Sequence, residues 1–154
     1  MFSLFSLVYV NKVRALQSAI PMQDLEMVDD YGNTPLLMAC FLGRDQCVEI
    51  LVQSGASLKA MNYFGQNALT LATYSGNTRI ALYLMRYRSY EDFTASSIIP
   101  PLCVAILRNN QKLTEIFCAE SPTADKIRTV HGVGTRDMVK IFMANDSTST
   151  NIRL

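Results

Sequence analysis

The chain has 154 residues, with 14 basic and 13 acidic side chains, a formal net charge of +1, and 49% apolar against 18% charged residues. That length suits one compact domain able to bury about 70% of the surface its unfolded form exposes. The composition excludes a disordered chain, and the near-zero charge excludes a general electrostatic attraction to nucleic acid or anionic membranes, so a partner must be recognised through shape.

The opening MFSLFSLVYV is apolar, but no basic residue precedes it and no small-x-small site follows it, so it is not expected to be a secretory leader. It is also far shorter than the roughly 20 residues that span a bilayer, and no other segment comes closer. LFSLVYV and VRALQSAI, divided at Asn11, read instead as a first pair of helices. From residue 32, GNTPLLMACFLG supplies an N-cap at Thr34, a first-turn proline at Pro35 and a helix-ending Gly43. Cys47, Val48, Ile50 and Leu51 then form a one-sided stripe of helical period. FGQNALTLATYSGNTRIALYLM and IIPPLCVAILRNNQKLTEIF repeat this helix, turn, helix pattern. GTRDMVKIF repeats the second-helix offsets from Gly134, with Met138, Val139, Ile141 and Phe142 at the apolar positions, and NDSTSTNIRL closes the chain as an expected frayed tail.

The repeat has a period of 33. Leu36, Leu69 and Leu102 obey it, as do Met38, Leu71 and Val104, then Ala39, Ala72 and Ala105, then Leu51, Leu84 and Phe117. Gly43 and Gly76 are followed at that interval by Asn109, the other residue type that tolerates positive φ at a helix end, and Asn11 precedes Gly43 by 32. The expected units are residues 1–29, 30–62, 63–95 and 96–121, a degenerate unit at 122–145 and a flexible tail at 146–154.

GNTPLLMACFLGRDQCVEILVQSGASLKAMN resembles an ankyrin repeat, whose pattern is G-x-T-P-L-H-x-A-x-x-x-G, a second helix and G-A-D. The second unit keeps the glycines, leucine and alanine but has Asn67 and Ala68 for threonine and proline, while the third keeps Pro101, Leu102 and Ala105 and loses both glycines. The resemblance implies an all-α ankyrin-repeat solenoid of about four helix-turn-helix units joined by short hairpin-like loops. The motif histidine, which in that family ties neighbouring units by hydrogen bonds, is Leu37, Thr70 and Cys103 here. Fewer inter-unit bonds, at about 1 kcal/mol each, imply a modestly stable array whose weakest units, the third and the tail, open first. Neither end reads as a polar cap: either Ser3, Ser6, Lys12 and Lys140 face water, or another subunit covers one end.

Catalytic signatures are not found. The chain has no G-x-S-x-G, P-loop, H-E-x-x-H or strand-linked G-x-G-x-x-G, and its one histidine, His131, lies in its least regular part. Cys40, Cys47, Cys103 and Cys118 lack C-x-x-C spacing and histidine neighbours, so they read as small buried hydrophobes in a reducing cytoplasm or nucleus, without a metal. Asp29 and Asp30 stand where a turn aspartate caps backbone donors. Arg79, Arg86 and Arg88 interleave with Tyr83, Tyr87 and Tyr90, one signature of nucleic-acid contact, although helix-end basic residues also face water. No enzyme activity, cofactor or small-molecule substrate is expected.

In the resembled family, partners meet the hairpin tips and the exposed side of the first helices. Residue by residue this implies Tyr31, Asn33, Phe41 and Leu42, then Tyr63, Phe64, Gln66 and Tyr74 with Ser75, then Leu107 and Arg108, on a concave protein-binding face whose five aromatics form one contiguous patch. Small free-standing proteins of this kind resemble regulators of protein kinases, including inhibitors of cyclin-dependent kinases and subunits of an embryonic cell-cycle kinase complex. The expected function is therefore a regulatory subunit or adaptor. Alternatives are an inhibitor of Rel-type (NF-κB) transcription factors and, last, nucleic-acid binding.

Overall fold

The computed structural model describes residues 1–121, so the degenerate unit at 122–145, with Gly134, His131 and Lys140, and the tail at 146–154 lie outside the described residues. Within 1–121 the chain forms four antiparallel helix pairs: α1 (Leu4–Tyr9) with α2 (Val13–Ala19), α3 (Pro35–Leu42) with α4 (Asp45–Gln53), α5 (Ala68–Tyr74) with α6 (Thr78–Met85), and α8 (Pro101–Leu107) with α9 (Gln111–Glu120). A short 3-10 turn, Ile20–Met22, extends α2, and α7 (Tyr90–Ala95) is inserted before the last pair. The first helices pack in a row, α1 on α3, α3 on α5 and α5 on α8, while α2, α4 and α6 pack in a second row behind them.

Sequence and structure meet at the turn inside each pair. Asn11, Gly43, Gly76 and Asn109 all have positive φ, between 56° and 73°, so the chain reverses at the same register in every unit. Asparagine at the two outer positions tolerates this because its short polar side chain relieves part of the left-handed cost. Each first helix begins on a cap where the sequence supplies one: Ser3 accepts from the Ser6 N–H, Thr34 from Leu37 and Asn67 from Thr70. The 33-residue series become the core, with Leu36, Leu69 and Leu102, Ala39, Ala72 and Ala105, and Leu51, Leu84 and Phe117 all fully buried. Because α3 has a neighbour in front, behind and beneath it, it is apolar almost all round, whereas α4 buries only Cys47, Val48 and Leu51.

Leu37, Thr70 and Cys103 are buried, and Thr70 bonds Asn67 within its own unit. None of these three side chains bonds a neighbouring unit, as expected, and the inter-unit hydrogen bonds come from other positions. At the turns, Arg44 Nη2 donates to the Tyr9 carbonyl (3.1 Å), Cys47 Sγ to Asn11 Oδ1 (3.5 Å), Ser75 Oγ to the Cys40 carbonyl (3.1 Å) and Asn77 Nδ2 to Asp45 Oδ1 (2.7 Å). At the loops, the Tyr63 N–H donates to the Tyr31 carbonyl (3.0 Å) and the Ile98 N–H to the Gly65 carbonyl (2.9 Å).

The third junction departs from the repeat. Helix α7 takes the place of the loop at residues 57–62 one unit earlier, capped by Ser89 Oγ on the Asp92 N–H, with Glu91 and Asp92 in its first turn. Its Tyr90 and Phe93 enter the core and Asn67 Nδ2 donates to the Phe93 carbonyl at 2.6 Å. The 95/96 boundary expected between units therefore falls at the end of a helix that is bonded into the preceding pair.

At the first end, Ser3 and Lys12 are exposed and Ser6 is half-buried, while α2 turns Arg14, Ala15, Gln17 and Ser18 outward. That face of α2 is largely polar. Met1 and Phe2 beside it are exposed.

Candidate protein-binding surface

The two hairpin tips are copies of one another. Asp29 Oδ1 accepts the N–H groups of Tyr31 and Asn33, both at 2.9 Å, and 33 residues later Asn62 Oδ1 accepts those of Phe64 (3.1 Å) and Gln66 (3.0 Å). Asp29 is thus the turn-capping carboxylate, and Asp30 is exposed. With the backbone held this way, Tyr31 and Phe64 project and stack with centroids 6.3 Å apart and planes at 27°. The Tyr63 ring covers Gly32, where a Cβ would fall 2.6 Å from Tyr63 Cδ1, and the Ile98 side chain covers Gly65 in the same way. Both glycines have positive φ, and their missing side chains let the tips close on each other.

A second stack forms where the first helices end. Phe41 and Tyr74, two residues before Gly43 and Gly76, lie with centroids 5.9 Å apart and planes at 17°, and the Arg108 guanidinium sits 4.7 Å over the Tyr74 ring. The two stacks are separated by the length of α3, ~12 Å at 1.5 Å per residue. The single contiguous aromatic patch expected from the repeat is therefore two patches, since a tip and the far end of its helix cannot share one contact area.

Of the expected binding positions, Tyr31, Phe41, Tyr63, Phe64, Tyr74, Leu107 and Arg108 are exposed. Three are not free. Leu42 is half-buried against the core. Asn33 Oδ1 accepts from Asn62 Nδ2 (3.0 Å) while its Nδ2 donates to Asp29 Oδ2 (3.1 Å), and Gln66 Oε1 accepts from the same Asn62 amide (3.0 Å), so both amides fasten the tips. Ser75 is also engaged, its hydroxyl bonding the Cys40 and Ala72 carbonyls.

Sequence reasoning missed three exposed apolar residues. Tyr9 is 65% exposed and stands two residues before Asn11, the register of Phe41, Tyr74 and Leu107, so extending that series by one unit would have found it. Ile98 and Ile99, at 61% and 41% exposure, continue the tip ridge beyond Phe64. Ile98 stands 33 residues after Gly65, so the register reaches it, but α7 replaces the loop that precedes the earlier tips.

Folding divides the basic-aromatic cluster: Arg79, Tyr83 and Arg86 share one groove, with Tyr87 against Tyr83, while Arg88 and Tyr90 are drawn into other contacts. Tyr90 is buried against Phe117, with centroids 4.9 Å apart. Arg79 faces Asp45 (3.7 Å) and Glu49 (3.6 Å). Arg88 donates to the Leu58 carbonyl and Ser96 Oγ and lies 5.2 Å over Phe93. An open groove of about 540 Å³ on the second helices gathers Arg79, Arg86, Lys112 and Glu49 with Leu82, Tyr83 and Thr78.

Burial pushes every thiol up from its ordinary value: Cys40 far up, Cys103 to about 11, and Cys118 upward, while at Cys47 the nearby Arg44 charge offsets part of the rise. Protonated thiols are poor nucleophiles and poor metal ligands. Among the described residues no three His, Cys, Asp or Glu side chains converge to hold a metal, and no helix is long and apolar enough to cross a membrane.

The family profile described as ankyrin repeats (three copies) matches residues 4–97. The chain is 51% identical over 116 residues to the DNA replication inhibitor plutonium of Drosophila melanogaster, a stretch covering 75% of this chain and 67% of that protein. It is 29% identical over 112 residues to ankyrin repeat domain-containing protein 13B of Mus musculus, covering 71% of this chain and 18% of the relative. Against ankyrin repeat domain-containing protein 13C of Homo sapiens the identity is 33% over 79 residues, covering 51% of this chain and 15% of the relative.

Proposed function

The chain belongs to the ankyrin-repeat family, and from that premise we propose that it is a non-catalytic protein-binding scaffold acting as a regulatory subunit or adaptor of a cell-cycle protein kinase complex. Ankyrin repeats are protein-interaction scaffolds, and the observation that carries the reading here is the pair of exposed stacks, Tyr31 with Phe64 and Phe41 with Tyr74. The helical array does not use these rings for its core, and rigid aromatics of this kind supply large contact area at low entropic cost. A role in the cell cycle is supported by the name of the Drosophila relative, a DNA replication inhibitor. The kinase partner rests on the resemblance drawn above to small ankyrin regulators of kinases. Work in the cytoplasm or nucleus is supported by the buried, unpaired thiols.

The test is purification of the tagged full chain from cell extract, identification of co-purifying proteins and a kinase assay on the eluate. Recovery of a kinase whose activity or substrate choice changes with the chain is the outcome the proposal requires. Recovery of a Rel-type factor without kinase activity would replace it by the transcription-factor-inhibitor reading.

A further inference from the structure

The partner's chemistry can be narrowed from the distribution of charge between the two ends of the helix pairs, an inference that rests on the protein-binding reading. The turns inside the pairs are bonded to one another, Arg44 to Tyr9 and Asn77 to Asp45, and so form one end of the array. The loops between pairs are bonded at the other end, Tyr63 to Tyr31 and Ile98 to Gly65. Among the described residues, Lys12, Arg14, Arg44, Arg79, Arg108 and Lys112 stand at the turn end, opposed by Asp45 and by Glu49, both of which face Arg79. At the loop end stand Asp24, Glu26, Asp29, Asp30, Glu91 and Asp92, opposed by Lys59, Arg86 and Arg88. The described residues carry nine basic and ten acidic side chains, and this near balance conceals a basic end and an acidic end.

Helix stability accounts for Arg44 and Arg108, which follow the ends of α3 and α8 and meet their negative poles, but not for the rest. Arg14 is the second residue of α2, Arg79 of α6 and Lys112 of α9. Helix starts carry the positive pole of the macrodipole and favour anions, so basic residues there oppose the helix and add to the positive field of that end. Tyr9, Phe41, Tyr74 and Leu107 run across the same end at one register, 65%, 49%, 42% and 71% exposed. Arg44 and Arg108 are fixed beside this column by their contacts with the Tyr9 carbonyl and the Tyr74 ring.

From the coincidence of that apolar column with that basic border we infer that the turn end binds an acidic linear segment of a partner protein, whose aliphatic or aromatic side chains lie on Tyr9, Phe41, Tyr74 and Leu107 while its carboxylates meet Lys12, Arg44 and Arg108. Charge complementarity orients such a segment and excludes basic ones. Nucleic acid is the poorer fit, because base stacking needs open ring faces. The Tyr74 ring already carries both Phe41 and Arg108, and one face of Phe41 is turned to Tyr74, which leaves ring edges and side-chain-sized gaps rather than a run of open faces. The acidic loop end would also repel a phosphate backbone that extended past the turns.

The immobilised full chain is panned against a random-peptide display library, and selected peptides are titrated by fluorescence anisotropy at low and high salt. The inference expects sequences combining Asp or Glu with Leu, Phe or Tyr, bound about tenfold more weakly, ~1.4 kcal/mol, by a Lys12→Glu/Arg108→Glu variant. The same loss is expected with Tyr9→Ala, and no change with Val28→Ala, an exposed apolar residue of the loop end. Lys12 and Arg108 are exposed, and circular dichroism verifies that the double variant is folded. Peptides lacking acidic residues overturn the inference. So do peptides lost with Val28→Ala but not with the charge-reversed pair, although that result leaves the scaffold reading standing. Failure to enrich any peptide also overturns it, and the co-purification assay then decides the scaffold reading separately. A single-stranded oligonucleotide bound with steep salt dependence and lost in the charge-reversed pair would assign the basic end to nucleic acid instead.

Discussion

The Tyr90 hydroxyl accepts the backbone N–H of Leu102 at 3.1 Å. Leu102 is the second residue of α8, whose N-cap position is Pro100, a residue with no side-chain acceptor. Inserted helix α7 therefore supplies across space the cap that the local sequence lacks, and the Tyr90 ring stacks on Phe117 while doing so. Tyr90→Phe keeps the ring and removes the cap, so a loss of about 0.5–2 kcal/mol is expected in urea unfolding. An unchanged midpoint would show that the hydroxyl contributes nothing at this helix start.

The same hydroxyl has a pH signature. Burial pushes Tyr90 from its ordinary value up to about 12. Between about pH 10, where an unfolded tyrosine ionises, and about pH 12, the folded chain holds a proton that the unfolded chain has released. Stability is then fully present below pH 10 and falls as pH rises, by up to roughly 3 kcal/mol from this group. Buried Cys40 is shifted in the same direction, so Tyr90→Phe should flatten the alkaline decline without abolishing it. Equal slopes for the two proteins in urea titrations across that range would contradict the assignment.

Asn67 is fully buried and does two jobs: its Oδ1 caps α5 on the Thr70 N–H, and its Nδ2 donates to the Phe93 carbonyl of α7 at 2.6 Å. Asn67→Ala should cost about 1–3 kcal/mol, the sum of a lost cap and one lost bond to a carbonyl that keeps Ser96 as a donor. Asn67→Asp retains the cap but brings a carboxylate toward that carbonyl, so it should not rescue. Thermal unfolding of both variants separates the two jobs.

Gly65 and Gly76 share a φ of +73°, yet a Cβ at Gly76 meets nothing within 4 Å while one at Gly65 overlaps the Ile98 side chain. Gly76→Ala should therefore cost only the left-handed penalty of about 1–2 kcal/mol. Gly65→Ala should cost more, or displace Ile98 from the tip. Comparable stabilities, with Ile98 unmoved by NMR, would mean that the tip contact is not close.

At the interface with the proposed partner, Phe41→Ala, Tyr63→Ala and Phe64→Ala are the informative substitutions. At least one should weaken the purified complex by about 2 kcal/mol or more, as a hot spot does. Three neutral results would place the partner on another face, the second-helix groove at Arg79 and Lys112 being the next to test.

Much of this was legible in the residues because a repeat reports itself. Leu36, Leu69 and Leu102 share one environment, so their interval reveals the stack, and Gly43, Gly76 and Asn109 mark its turns because few residues tolerate positive φ. The sequence by itself determined the helix pairs, the core series, the capping Asp29 and the exposure of most aromatic positions. Tertiary structure alone decided that α7 caps α8, that Asn33 and Gln66 are consumed in fastening the tips, and that Leu42 packs inward. It also split the aromatics into two stacks and gathered six of the nine described cations at one end. The reason is physical: period and capping are local properties that one unit carries in its own residues. A side chain's freedom to meet a partner, by contrast, depends on what the neighbouring units place against it.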